Sequence, residues 1–274
     1  MAKWTFLNNI IYKRTVKSWL MILFVWPAIP FFVVTLGFVV FSYFPWPMTF
    51  DVEAPVVSDN KDELIILIHG KDDSPDSWPN AFAKALETTV LTNTQQVATI
   101  DWYDYSTNLF RVANNARRIG LQLGEDLAEH SQLKKVHLIA HSAGAFMAYG
   151  YCEALKQIKP DLFVHTTYLD PLGPYSGFQW HYGTQHFGSC ADISDAYIDI
   201  NDNVPGSNVP VEHTHTFDVS ALRLADKQYQ GTAHMWPIHY YRTAVLSGQL
   251  PFWEPGEEVL GRYPRRKQTI FEGQ

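Results

Sequence analysis

From Ser18 to Pro47 the chain carries no charged side chain, and within that run Trp19-Leu20-Met21-Ile22-Leu23-Phe24-Val25-Trp26 and Phe31-Phe32-Val33-Val34 follow in close order. A helix from Trp19 to Phe44 would reach about 39 Å at 1.5 Å per residue, enough to cross a hydrocarbon core of roughly 30 Å with some tilt. The reading is a transmembrane signal anchor over 19–44. Pro27 and Pro30 would kink such a helix, which lipid-embedded helices tolerate when neighbours or local distortion satisfy the freed carbonyls. Trp19, Tyr43 and Trp46 stand near its ends, where amphipathic rings favour the interface. Lys3, Lys13, Arg14 and Lys17 precede the run and Asp51, Glu53 and Asp59 follow it. The positive-inside bias then puts the basic segment 1–18 in the cytoplasm and the bulk of the chain on the far side. Three other readings stay open: a cleaved signal peptide, a hairpin dipping into one leaflet and bent at the prolines, and burial inside a domain core. A signal peptide normally has a shorter apolar core closed by small residues, whereas this one ends in Phe44-Pro45-Trp46-Pro47.

The remainder must be a soluble body, and composition narrows its class. A formal charge of -7 over 274 residues argues against a nucleic-acid partner, because phosphate binding leans on clustered Lys and Arg. Two cysteines, Cys152 and Cys190, allow at most one bridge, which excludes a disulfide-stapled scaffold and Cys-rich zinc modules. Whether they pair is not legible. After a linker over 45–63, short apolar runs alternate with amphipathic stretches. Strands are expected at Leu64–Ile68, Val97–Ile100, Val136–Ala140 and Val164–Leu169, with helices at Trp78–Val90, Leu109–His130 and Ala143–Ile158 between and after them. Two further strands, Ala196–Ile200 and His215–Val219, and a closing helix, Trp236–Leu246, complete a domain over 64–250. Such alternation predicts an α/β fold, a mostly parallel sheet with helices on both faces.

The sharpest chemical signal is Leu138-Ile139-Ala140-His141-Ser142-Ala143-Gly144, an apolar strand running into a serine flanked by small residues and then into a helix. This is the pattern of a nucleophile elbow: small neighbours let strand and helix approach, and the turn lifts Ser142 above the sheet. The helix aims its first amides at the site, so the N–H of Ala143 can stabilise an oxyanion. A second donor is expected after an earlier strand, where Ile65-Ile66-Leu67-Ile68-His69-Gly70-Lys71 offers the main-chain N–H of Lys71.

With these pieces the soluble part resembles an α/β hydrolase, and within that class it is similar to the pancreatic-lipase-like group of lipases and phospholipases A1. The resemblance runs through most of residues 64–246: His69-Gly70, Asp101-Trp102, the helix segment Ala113-Asn114-Asn115-Ala116-Arg117-Arg118-Ile119-Gly120, the elbow, and Leu169-Asp170-Pro171-Leu172-Gly173-Pro174. It implies that Asp170 is the acid of a triad. Asp170 ends an apolar strand 28 positions after Ser142, at the strand ends where open α/β sheets build their sites. In the hydrolase order of Ser, acid, then His, the histidine comes last. Among His181, His186, His213, His215, His234 and His239, the choice falls on His234, which precedes the closing helix and is followed by Tyr240-Tyr241 at the group's spacing. His239 lies inside that helix. His213 and His215, two apart on a strand, lack an evident third ligand, so no metal and no cofactor is expected.

The expected activity is that of a serine hydrolase cleaving carboxylic esters of lipids through an acyl-enzyme, with a lipid or other ester as partner. A non-catalytic membrane-tethered binding module, a thioesterase and an amidase are the alternatives. Departures from the group's pattern are Ala140 in place of the elbow's first glycine, Lys71 in place of an apolar residue, and no room after the closing helix for a C-terminal β-sandwich. A cation at Lys71 would suit an acidic or phosphate-bearing head group as readily as a neutral glyceride. The aromatic stretch Tyr175–Cys190 lines an acyl groove, forms a lid with Asn201–Pro210, or packs on the sheet. In the tail, 251–274, the residues Arg262, Arg265, Arg266 and Lys267 read as solvated, with a second lipid-surface contact as the other option.

Overall fold

The computed structural model describes residues 21–250 and 264–272. The chain divides into two compact units, Met1–Pro45 and Trp46–Gln274. In the first, a π-helical turn at Met21–Val25 leads into α1 (Trp26–Tyr43). Together they make 23 residues, long and apolar enough to cross a membrane by length and composition. Pro27 is the second residue of α1 and Pro30 lies further inside it, so both prolines fall within the continuous helical run that begins at Met21. The basic segment 1–18 and the expected start of the span at Trp19 lie outside the described residues.

The second unit is organised by seven strands: β1 (Glu63–Ile68), β2 (Gln95–Ile100), β3 (Lys135–His141), β4 (Phe163–Leu169), β5 (Ile193–Ile198), β6 (His215–Asp218) and β7 (Lys267–Ile270). They form one sheet in the order β2-β1-β3-β4-β5-β6-β7, and every pairing is parallel. Parallel strands need crossovers, and these supply the covering helices: α2 (Pro79–Thr89), the short α3 (Tyr103–Ser106), α4 (Val112–Ala128), α5 (Gly144–Ile158), the short α6 (Tyr182–His186) and α7 (Ser220–Ala225), and α8 (Trp236–Leu246). Unbroken runs such as Leu64–Ile68 are buried on both faces, as a doubly covered sheet demands. On one face Ile65, Leu67, Ile139 and Tyr197 pack against Phe82 and Leu86 of α2 and Tyr241 and Val245 of α8.

On the other face α4 and α5 lie unusually close. A Cβ at Gly120 would stand 2.1 Å from the carbonyl oxygen of Met147, and one at Gly150 would stand 2.2 Å from that of Arg117. Only hydrogen fits at this crossing, so the two glycines set the distance between the helices and seat α5, which carries the elbow. Cys152 of α5 is disulfide-bonded to Cys190 in the loop before β5.

Two expectations are corrected. The fifth strand begins at Ile193 and ends at Ile198, with Ile200 exposed beyond it, because Ser194 and Asp195 are held in the sheet by Thr166 and Thr167 of β4. The tail departs from its expected reading in backbone rather than side chains: Arg265, Arg266 and Lys267 are exposed, but Lys267 opens β7 on the free edge of β6, and the Arg265 guanidinium donates to the carbonyl of Ala191. An edge strand with one open side does not need the apolar alternation that marks an interior one, so its sequence carries little signal. Arg262 lies outside the described residues.

Candidate active site

Ser142 and Asp170 follow directly on β3 and β4, whose register pairs His141 with Leu169. Both residues adopt left-handed backbone, φ 53° for Ser142 and φ 48° for Asp170, a conformation that costs a residue bearing a Cβ. The cost is met locally. The Ser142 N–H donates to the Leu169 carbonyl at 3.1 Å, and the Leu172 N–H donates to the Ser142 carbonyl at 3.1 Å, so the two turns are stapled to each other. The Asp170 N–H donates to the Tyr197 carbonyl at 2.8 Å. The elbow is therefore held from the side of the acid it faces.

Ala143 is the N-cap of α5, so its amide belongs to the helix terminus that opens on the site. The loop after β1 comes to the same place. A Cβ on Gly144 would lie 2.5 Å from the His69 carbonyl, and one on Gly70 would lie 3.0 Å from Cβ of Ser142. The turn is pinned by Trp102 at the end of β2, whose indole N–H donates to the His69 carbonyl at 3.1 Å and whose main-chain N–H approaches His69 Nε2 at 3.3 Å. Lys71 follows Gly70, and its ammonium pairs with the neighbouring Asp72.

His234 lies in the loop between α7 and α8, anchored by Trp236, whose indole donates to the Val219 carbonyl at 2.8 Å. Its Nδ1 stands 2.9 Å from Oδ2 of Asp170, joining the expected histidine to the expected acid. It also stands 2.9 Å from Oδ2 of Asp202, in the stretch Asn201–Pro210 named above only as part of a candidate lid. Asp202 is itself fixed by the Ser207 hydroxyl at 2.6 Å and the Val204 N–H at 3.2 Å. The other oxygen of Asp170 accepts the N–H of Asp199 at 3.0 Å, and Asp199 is ion-paired with Arg223.

The electrostatics separate the two acids. Burial pushes the Asp170 carboxyl up to about 7, against the pull of His234 and the Asp199 amide. Burial also opposes the charge on Asp202, but the Ser207 hydroxyl and His234 outweigh it and hold its carboxyl below the usual value. For His234, burial disfavours the imidazolium, yet hydrogen bonds and charge from Asp170 and then Asp202 raise it above the ordinary histidine value. The ligand atoms of Asp170, Asp202 and His234 all lie within 4.8 Å of one another, a spacing that a metal ion would also accept. An Nδ1 that donates a hydrogen bond has no lone pair for a metal, so the two uses exclude each other.

His141 is a second residue to which the sequence pattern assigns no role beyond its place in the elbow motif. Its Nε2 is 3.0 Å from the His234 carbonyl and its ring centroid 4.6 Å from that of His234. Burial, aided by His234, drives its imidazole down to about 3, so it stays neutral and donates to that carbonyl as a fixed support. Of the other histidine candidates, His215 bonds to Thr269 of β7 at 2.8 Å, His186 bonds to the Tyr182 carbonyl, and His239 stacks on Trp236. Of the aromatic stretch, Tyr175, Tyr182 and Phe187 pack on Phe146 of α5, whereas Phe178 and Trp180 are exposed.

The sequence matches the alpha/beta hydrolase family over residues 65–265. No curated protein matches it. Similar solved structures include an alpha/beta-superfamily protein from Xanthomonas campestris pv. campestris, 13% identical with a TM-score of 0.41 over 68% of this chain and 96% of that one. An esterase from Pyrobaculum calidifontis is 11% identical with a TM-score of 0.37 over 73% and 80% of the two chains. Lipase B from Aspergillus fumigatus is 10% identical with a TM-score of 0.40 over 64% of this chain and 49% of that one.

Proposed function

Because this chain belongs to the alpha/beta hydrolase family, a premise carried by the match over residues 65–265, we propose that it is a serine hydrolase cleaving carboxylic esters of lipids. The observation that carries the reading is a serine in a strained strand-to-helix turn, stapled to the Asp170 turn, together with a histidine whose Nδ1 lies 2.9 Å from that same Asp170. Nothing in folding requires both. In this mechanism the Ser142 hydroxyl attacks the ester carbonyl while Nε2 of His234 takes its proton. Asp170 and Asp202 hold the proton on Nδ1 and favour the imidazolium. The amides of Ala143 and Lys71 receive the oxyanion; the tetrahedral adduct then collapses, His234 protonates the departing alcohol, and an acyl-Ser142 remains for water to hydrolyse. The Leu169-Asp170-Pro171 segment favours the pancreatic-lipase-like group within the family.

The lipid substrate is supported by position along the chain: an apolar helix over Met21–Tyr43, read as a membrane anchor, precedes the hydrolase unit and keeps it beside amphiphiles. The Cys152–Cys190 disulfide favours an oxidising, extracytoplasmic compartment for that unit, in keeping with the basic N-terminus on the cytoplasmic side. The test is turnover of short- and long-chain p-nitrophenyl esters by the full chain in detergent, with a fluorophosphonate probe in parallel. Loss of labelling in Ser142→Ala and a fall of several orders of magnitude in kcat for Ser142→Ala and His234→Ala are expected. A wild type that neither labels nor turns over would favour the binding-module reading, and labelling without ester turnover would move the substrate to a thioester or amide.

A further inference from the structure

Residues 46–51 do not hang free as a spacer. They lie as a strap along one face of α4, where positions 111, 115, 118 and 122 recur at helical spacing. Arg111 donates to the Trp46 carbonyl, and Arg118 donates to those of Pro47 at 2.7 Å and Met48 at 3.1 Å. Gln122 bonds both the N–H and the carbonyl of Phe50 at 2.9 Å, and Phe50 sits edge-on to Tyr105, whose carbonyl accepts from Asn115. The N-terminal end of α4 is therefore tied to the very start of the strap. Only Phe44 and Pro45 separate Tyr43, the last residue of α1, from Trp46, so at no more than about 3.6 Å per residue the strap begins within about 11 Å of the helix end whatever angle the units make.

Around this tie lie large apolar side chains open to solvent. Trp46, Met48, Leu109, Phe110, Phe178 and Trp180 are each between 41% and 67% exposed. Phe110 adjoins Arg111 in sequence, and its ring comes within 3.9 Å of the Cβ position of Gly177, which brings the Phe178–Trp180 turn to the same place. The turn is closed by the Tyr175 N–H on the Gln179 carbonyl, and Tyr175 packs on Phe146 of α5. Tryptophan and phenylalanine interleaved with arginine suit the headgroup level of a bilayer, where rings meet the acyl boundary and guanidinium groups meet phosphate.

We propose that the Leu109–Phe110 and Phe178–Trp180 turns, with Trp46 and Met48, form a lipid-docking surface that inserts into the same bilayer α1 crosses. The inference rests on reading Met21–Tyr43 as a span. Its test uses the full chain reconstituted in phosphatidylcholine–phosphatidylglycerol vesicles, with nitroxide attached at Leu109→Cys, Trp180→Cys or Met48→Cys and, for comparison, at Glu129→Cys beyond the far end of α4; the native cysteines are bonded to each other. Collision with oxygen is expected to exceed collision with a water-soluble nickel complex at 48, 109 and 180, and the reverse at 129. Labels at all three positions as wet as the one at 129 would overturn the proposal. So would spin–spin broadening at 180, which would mean a second copy covers the patch. Three labelled positions guard against one misfolded variant. Flotation with the vesicles reports the span independently, and the depth readout needs no turnover, so failure here is distinct from failure of the hydrolase reading.

Discussion

Asp170 and Asp202 approach one atom from opposite stretches of chain: each presents Oδ2 at 2.9 Å from Nδ1 of His234. One N–H cannot serve two full carboxylates equally, and the environments differ, since Asp170 is fully buried at the end of β4 while Asp202 is cradled by Ser207 and Val204. The pair behaves as one acid with two sites, Asp170 holding the more basic carboxyl and Asp202 the more acidic.

If the two carboxylates back each other up, single substitutions understate their role. Asp170→Asn and Asp202→Asn should each lower kcat/KM by less than about a hundredfold, and the double variant by about 10⁴, the scale of losing a triad acid. A double-mutant cycle checks this. A full loss in Asp170→Asn alone would make Asp202 a bystander.

The general base must be neutral, and both carboxylates raise His234 above the ordinary histidine value. As pH falls through that raised value the imidazole takes up its proton and activity is lost, so the acid limb of kcat/KM should lie above about 6.5. Replacing Asp202 by Asn should move the limb to lower pH. A limb that stays in place would mean that another group sets it.

Asp170 also has a thermodynamic signature. Its raised carboxyl means the folded chain retains a proton that the unfolded chain has released between the ordinary value of 3.8 and about 7. Stability therefore falls as pH rises through that window. Asp170→Asn removes the liability, so its Tm should exceed that of wild type at pH 8, by roughly 2–4 °C for each kcal/mol recovered, and the difference should vanish below pH 4. Melting at the two pH values decides it.

The α4–α5 crossing admits no methyl group. Gly150→Ala would place a carbon 2.2 Å from the Arg117 carbonyl and force the helices apart. A loss of about 1–3 kcal/mol or more is expected in the denaturant midpoint, together with lower Ser142 probe labelling, because α5 carries the elbow. Unchanged stability would mean that the helices separate without cost.

The Cys152–Cys190 bridge closes a separation of 38 residues. Cys152→Ser should cost about 2–4 kcal/mol, the ordinary worth of such a closure. Equal denaturant midpoints for wild type with and without reductant would show the bridge to be dispensable.

The strands and long helices of the hydrolase unit, together with Ser142, were legible because each signal is local. An apolar run such as Leu64–Ile68 names a buried strand, and small residues around a serine between strand and helix name a turn, whatever the rest of the chain does. The meeting of Asp170 with His234 was expected, Asp170 from the resemblance of Leu169-Asp170-Pro171 and the strand it follows, His234 from its order and its place before α8. Asp202 was not, because an acid in Asn201-Asp202-Asn203 reads like any turn residue. His141 was hidden by its position inside the motif, where only the serine and its small neighbours carry a pattern. The strand β7 was hidden by its polarity.

What the sequence determined by itself, then, is the alternation of elements, the charge-free run at its start, and the residue types available for chemistry, all set by steric and hydrophobic preferences acting over a few residues. Which of those residues meet is set instead by the packing of strands and helices. The two carboxylates converge on His234, Cys152 finds Cys190, Lys71 spends its charge on Asp72, and residues 46–51 lie down along α4. Except for Lys71 and Asp72, these are contacts between parts distant in sequence, fixed by the order of strands and the closeness of helix packing, and no local pattern encodes them.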